Sequence, residues 1–161
     1  MAGDFEEQAS AFWGFATALY ARPGVADLCL DLQDEAARDV NLLLLCLWAG
    51  EVLGLALDDW DLRDLAAAVA PWNAAAVHPL RTLRRSLKGV PAAETVRARI
   101  GAAELEAERL AQRHLLAALP DRPRGPASPE LGFANLARYA GEPAALSLFA
   151  LLGASWARPS A

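Results

Sequence analysis

This chain has little from which to build a sheet. Val and Ile are scarce, and no alternating apolar and polar run is bounded by a turn pair such as Asn-Gly. Strands therefore lack both their preferred residues and their period. Cysteine is nearly absent. Cys29 and Cys46 each lie in an apolar helical pattern with no CxxC spacing, which excludes a disulfide scaffold and suits buried free thiols in a reducing compartment. The opening MAGDFEEQAS carries acids where a secretory signal has a basic region and an apolar core, so no signal is expected. The longest apolar run, Leu42 to Gly50, falls well short of the roughly 18 residues of a membrane span. A soluble cytoplasmic protein with no membrane association is expected.

Catalytic signatures are missing as well. There is no GxSxG elbow, Walker A loop or Rossmann glycine fingerprint. Neither His78 nor His114 has the Glu three residues earlier that a ferritin-like carboxylate site requires, so both read as structural residues. No catalytic residue, metal ligand or cofactor is expected. A net charge of −5 and a pI near 5.0 oppose general nucleic-acid binding, which depends on neutralising phosphates.

What the chain does have is helix-forming material. It is 55% hydrophobic over 161 residues, and much of that is Ala and Leu. The expectation is a single all-α domain spanning residues 1–161, a bundle of six to eight helices. Asp4 and Glu7 form a capping box for a first helix over about 5–20, with Phe5, Phe12, Trp13, Ala16, Leu19 and Tyr20 on its apolar face. Pro23 opens a second helix, with Val25, Leu28, Cys29 and Leu32 inward, ending near Ala36 or Ala37. Asp39 then caps a third helix over about 40–50 by accepting from the amide of Asn41 or Leu42. Because that helix is apolar nearly all round, it is the predicted centre of the bundle.

Asp58 or Asp59 caps a fourth helix with Trp60, Leu65 and Val69 inward, and Pro71 starts another. Its stripe of Trp72, Ala76, Leu80, Leu83 and Leu87 is kinked or divided at His78 by Pro79. The longest helix is expected over about 92–119, with Val96, Ile100, Ala103, Ala107 and Leu110 inward and Glu104, Glu106, Glu108, Arg109 and Arg113 on a solvated face. Residues 120–129 hold four prolines and a glycine and read as an exposed connector within the domain. Helices over about 130–140 and 143–156 complete the fold, the last docking through Leu146, Phe149, Ala150, Leu152 and Trp156.

Three constellations carry chemical interest. Gln33, Asp34, Asp39 and Asn41 form a polar knot at the mouth of the buried helix, either closing helix ends or supplying a small-ligand site. The basic run Arg81, Arg84, Arg85 and Lys88 either binds an anionic group or pairs with the acidic long helix. Asp27 and Asp31, spaced DxxxD, with Asp58, Asp59, Asp61 and Asp64, would suit Mg²⁺ around a diphosphate, as in all-α isoprenoid synthases, although the chain is short for such a cavity.

At Phe12-Trp13-x-Phe15-Ala16, Tyr20-x-x-Pro23-Gly24-Val25, Leu32-Gln33-Asp34 and Asp39-Val40-Asn41-Leu42-Leu43-Leu44, the chain resembles a family of uncharacterised proteobacterial proteins, a domain of unknown function. The resemblance continues at Pro79-Leu80-Arg81-x-Leu83-Arg84-Arg85 and at Ala103 to Arg109, and reaches about Leu119. It implies no activity. It does imply that glycine is common where this chain has Ala37, so a left-handed backbone there would cost Ala roughly 1 kcal/mol.

The expected function is a non-enzymatic protein-interaction or regulatory module, using the 92–119 helix to bind a protein partner or a second copy. The alternative is a small-molecule binder or enzyme built on Gln33, Asp34, Asp39 and Asn41, with Arg81 or Arg84 for an anionic group. A remote alternative is Mg²⁺-dependent diphosphate chemistry.

Overall fold

Leu42 to Ala49 is apolar on every side, and a helix without a polar face has to be surrounded. In the computed structural model, which describes residues 2–153, this segment is α3 (Val40–Glu51), and Asn41 to Glu51 are all buried. Around it in sequence lie α1 (Ala2–Tyr20), α2 (Val25–Ala36), α4 (Asp59–Trp72), α5 (His78–Ser86), α6 (Glu94–Ala117), α7 (Pro129–Ala140) and α8 (Glu142–Leu152). No strand occurs among the described residues, and the protein is all-α. The described chain forms two compact units: one joins the residues up to Leu62 with those from Pro120 onward, and the other runs from Arg63 to Leu119.

In the first unit α3 packs most extensively on α7, with α1 and α2 also against it. The approach to α7 is backbone on backbone. A methyl group added at Gly50 would overlap the main chain of Leu131 and Gly132, and one added at Gly132 would meet the Glu51 side chain and the Leu47 carbonyl. Phe12 of α1 covers Trp48, with ring centroids 5.1 Å apart, and Phe133 of α7 meets Phe149 of α8 edge-on at 5.2 Å. The Arg22 guanidinium donates to the Leu152 carbonyl at 2.8 Å, satisfying an end group of α8.

Several expectations need correction. The first helix begins at Ala2, so Asp4 lies inside its first turn and the Asp4–Glu7 box does not start it. Phe15 joins Phe12, Ala16 and Leu19 in the core, whereas Phe5 and Trp13 are only half-buried. Trp60 is 68% exposed, because the buried stripe of α4 is Leu62, Leu65 and Val69 and position 60 falls on the far side. In α8 the buried residues are Ala145, Leu148 and Leu152, and Leu146 is exposed; Trp156 lies outside the described residues.

The proline-rich stretch 120–129 is not loose. The Gly125 amide donates to the Gly54 carbonyl at 2.8 Å, and the Ser128 amide donates to the Gly50 carbonyl at 3.1 Å. Gly54, at φ 63°, leaves no room for a side chain beneath the Gly125 carbonyl. Ser128 also caps α7, its hydroxyl accepting from the Leu131 amide. Prolines here remove donors that a strap held at a few points does not need.

In the second unit Pro71 does not begin a helix. It sits inside α4, which runs on through a π turn (Asn73–Val77) into α5, with the His78 amide bonded back to the Asn73 carbonyl. Pro71 and Pro79 each lack the amide that an α-helical ladder would use, and between them the chain accommodates one extra residue. That residue rotates everything after it. Asn73 and Val77 are buried, Arg81 and Arg84 are turned to α6, Trp72, Ala76 and Leu80 are half-buried, and Leu83 is 48% exposed.

The matching stripe on α6 is displaced too. Ala103 and Leu110 are exposed, while Glu104, Ala107, Ala111 and Leu115 are buried. A carboxylate expected in solvent therefore lies in the core of this unit.

Candidate functional site

The polar knot is built from the meeting of α2 and α3. α2 ends at a left-handed residue: Ala37 has φ 50° and ψ 35°, and the amides of Ala37 and Arg38 both turn back to the Leu32 carbonyl. Ala37 is the one non-glycine with positive φ among the described residues. The turn delivers Asp39 to the start of α3, where its carboxylate accepts from the Leu42 amide at 2.9 Å. Asn41 follows in the first turn and is buried.

Tyr139 of α7 completes the knot. Its hydroxyl accepts from the Asp39 amide at 3.0 Å, and the Arg38 guanidinium lies 5.2 Å from the centre of its ring. Burial pushes the Tyr139 phenol up to about 12, so it remains protonated and able to donate. Gln33 and Asp34 lie near the C-terminal end of α2. Gln33 donates to Asp34 at 3.4 Å, and Asp34 is exposed.

A second polar clamp lies deeper in the first unit. Asn135 of α7 is 2% exposed, and its side-chain oxygen accepts from the Leu57 amide at 2.9 Å. Its amide nitrogen donates to the Cys46 carbonyl at 3.2 Å and the Leu55 carbonyl at 2.9 Å. One side chain thus ties α7 to α3 and to the extended segment after it. Cys46 is sealed in the same core, and burial raises its thiol far above the ordinary value; Cys29 is raised to about 11 for the same reason. Neither thiol ionises near neutral pH.

Arg81 and Arg84 belong to the second unit, and both face α6. Arg81 donates to Glu104 at 3.1 Å and to Glu108 at 2.7 Å, and Arg84 engages both oxygens of Glu104. Glu104 is only 6% exposed. Burial by itself would raise its carboxyl, but hydrogen bonds and charge from Arg84 and Arg81 outweigh that and hold it below the ordinary carboxylate value. Beside this cluster the Trp72 indole donates to the Ala107 carbonyl at 2.8 Å, and its ring lies 5.9 Å from that of His114.

The acidic run after α3 has local partners. Asp58 accepts from the amides of Trp60 and Asp61 at 2.9 Å each, and Asp61 accepts in return from the Asp58 amide at 2.8 Å, a reciprocal cap for α4. Arg122 pairs with Asp58 and Asp61, and Arg138 with Asp59. Asp27 and Asp31 are both exposed on α2. Among the described residues no three His, Cys, Asp or Glu side chains gather to hold a metal ion.

Residues 11–115 match the model of a family described as a protein of unknown function (DUF2390). The chain belongs to the DUF2390 family. The match runs from α1 almost to the end of α6, close to the extent that the motifs imply, and it takes in Asp39, Asn41, Arg81, Arg84 and Glu104. Asn135 and Tyr139, which complete both clamps on α3, lie beyond it. No curated protein and no solved structure matches this DUF2390 chain.

Tyr139 and Asn135 escape sequence reasoning because each acts across a long separation, 100 residues from Tyr139 to Asp39 and 89 from Asn135 to Cys46. Glu104 left a faint signal: it is the one charge in the spacing Ile100, Glu104, Ala107, Ala111, Leu115.

Proposed function

We propose that this DUF2390 protein is a non-enzymatic protein-interaction module, with α6 and the turn before it as its contact surface. One observation carries the reading. In the second unit Leu83, Val90, Val96 and Leu110 are each between 44 and 53% exposed, large apolar side chains on α5, α6 and the turn joining them. Single exposed apolar residues are ordinary, but several on adjoining elements mark a surface that another molecule covers. Three of the polar side chains that could have done chemistry have structural work instead. Asp39 caps α3, and Arg81 and Arg84 hold a buried carboxylate. We place the module in the cytoplasm, a setting that suits two buried free thiols.

The test is retrieval of tagged chain from native lysate after brief cross-linking, alongside Val96→Glu with Leu110→Glu. The expected result is a partner, of either identity, that the double substitution removes. Failure to retrieve any partner sensitive to that substitution overturns the reading.

A further inference from the structure

The outer face of α6 has a pattern of its own. Val96, Ala103 and Leu110 recur at heptad spacing and are all exposed, so they form one apolar stripe up the solvent side of the helix. Beside this stripe, at the intervening heptad positions, stand Arg99 and Glu106, both exposed. Arg99 makes no hydrogen bond or ion pair with another described residue. Glu106 has only a long contact of 3.8 Å to Arg109 one turn on, between side chains 72 and 49% exposed.

Resting on the interaction reading above, we propose that the occupant of this stripe is a second copy of the same chain, with the two α6 helices antiparallel about a two-fold axis at Ala103. Three features select this arrangement. The stripe is symmetric about Ala103, so an antiparallel two-fold sets Val96 against Leu110 of the partner subunit, and Leu110 against Val96 of the partner subunit. A two-fold contact of this kind uses one self-complementary patch on both copies.

The charges agree with it. Reversal brings Arg99 to within a residue of Glu106 of the partner subunit, twice by symmetry, whereas parallel helices would set Arg99 on Arg99 and Glu106 on Glu106. The side chain at the crossing point is also small. Ala103 lets the helix axes approach at the near end of the usual 8–10 Å or so. With 24 residues α6 offers about 36 Å of length, enough for the whole stripe to engage.

The measurement is sedimentation velocity of the full chain across a concentration series. A species of twice the 17.1 kDa chain mass is expected, and Val96→Glu with Leu110→Glu should return it to the monomer. Arg99→Glu alone and Glu106→Arg alone should each weaken the dimer at least tenfold, and the two together should restore it. All four positions are exposed, so folding, followed by circular dichroism, should not change. Under oxidation Ala103→Cys should cross-link to its own counterpart on the axis, while Leu105→Cys, on another face, should not; Cys29 and Cys46 are buried and give no background.

A chain that is monomeric throughout overturns the proposal, as does a dimer that the charge exchange does not rescue. If the chain is monomeric but Val96→Glu with Leu110→Glu still removes a different protein from the lysate, the second-copy assignment falls and the interaction reading stands. If neither occurs, both fall.

Discussion

Replacing Ala37 with Gly should make this protein more stable, although it removes a methyl group and adds nothing. Ala37 closes α2 with φ 50° and ψ 35°, a conformation in which its Cβ crowds its own carbonyl. An L-residue there costs about 1–2 kcal/mol relative to its right-handed state. Glycine escapes that cost, but its unfolded chain is freer, which takes back about 0.4–1 kcal/mol. Ala37 is exposed, so the lost methyl leaves no cavity. The net gain is about 1 kcal/mol, or about 2–4 °C in Tm for a chain of this size.

Urea unfolding of the wild type and Ala37→Gly measures it, with the slope unchanged and the midpoint raised. The neighbouring Ala36→Gly is the control. Ala36 is the last helical residue of α2, and glycine there should cost about 0.5–1 kcal/mol. Adjacent positions should thus respond with opposite sign. If Ala37→Gly destabilises the protein, or both substitutions do, the strain argument is wrong.

Asn135→Leu should cost about 2–4 kcal/mol, because the Leu57 amide and Leu55 carbonyl lose their buried partner, and a lowered urea midpoint would register it. Gly50→Ala should cost about 3 kcal/mol or more by forcing α3 off α7, while Gly14→Ala, with nothing within 4 Å of the new methyl, should gain about 0.5–1 kcal/mol; thermal melts of the pair separate helix propensity from helix contact. Glu104→Gln should cost about 1–3 kcal/mol at neutral pH. Because the folded Glu104 carboxyl is held below its ordinary 4.5, its ionised form stabilises the fold above about that pH and loses this effect as pH falls through the lower folded value. The gap between wild type and Glu104→Gln should therefore narrow in acid, as urea titrations at stepped pH would show.

Local chemistry made much of the fold legible. The all-apolar run from Leu42 announced a surrounded helix and Asp39 announced its cap, because each depends on residues within a turn or two of one another; the left-handed joint at Ala37 was implied only by the family resemblance. Helix existence survived even where a boundary moved, as at Ala2. The candidate site was legible only in part. Asp39 could be assigned its cap from neighbours alone, but no neighbour of Asp39 or Cys46 hints at Tyr139 or Asn135.

The second unit shows most clearly where sequence stops. Pro71 reads locally as a helix start and Pro79 as a kink or break, whereas the chain runs on through both with one inserted residue beside α6. The insertion there turns Arg81 and Arg84 inward to meet Glu104, and leaves Leu83 outside. Short-range periodicity and hydrogen bonding alone make this a helical protein with a buried central helix capped by Asp39. Which faces lie inside was settled by packing between helices. One residue added to a helical turn rotates all that follows by about 100°, and no local preference reports that rotation.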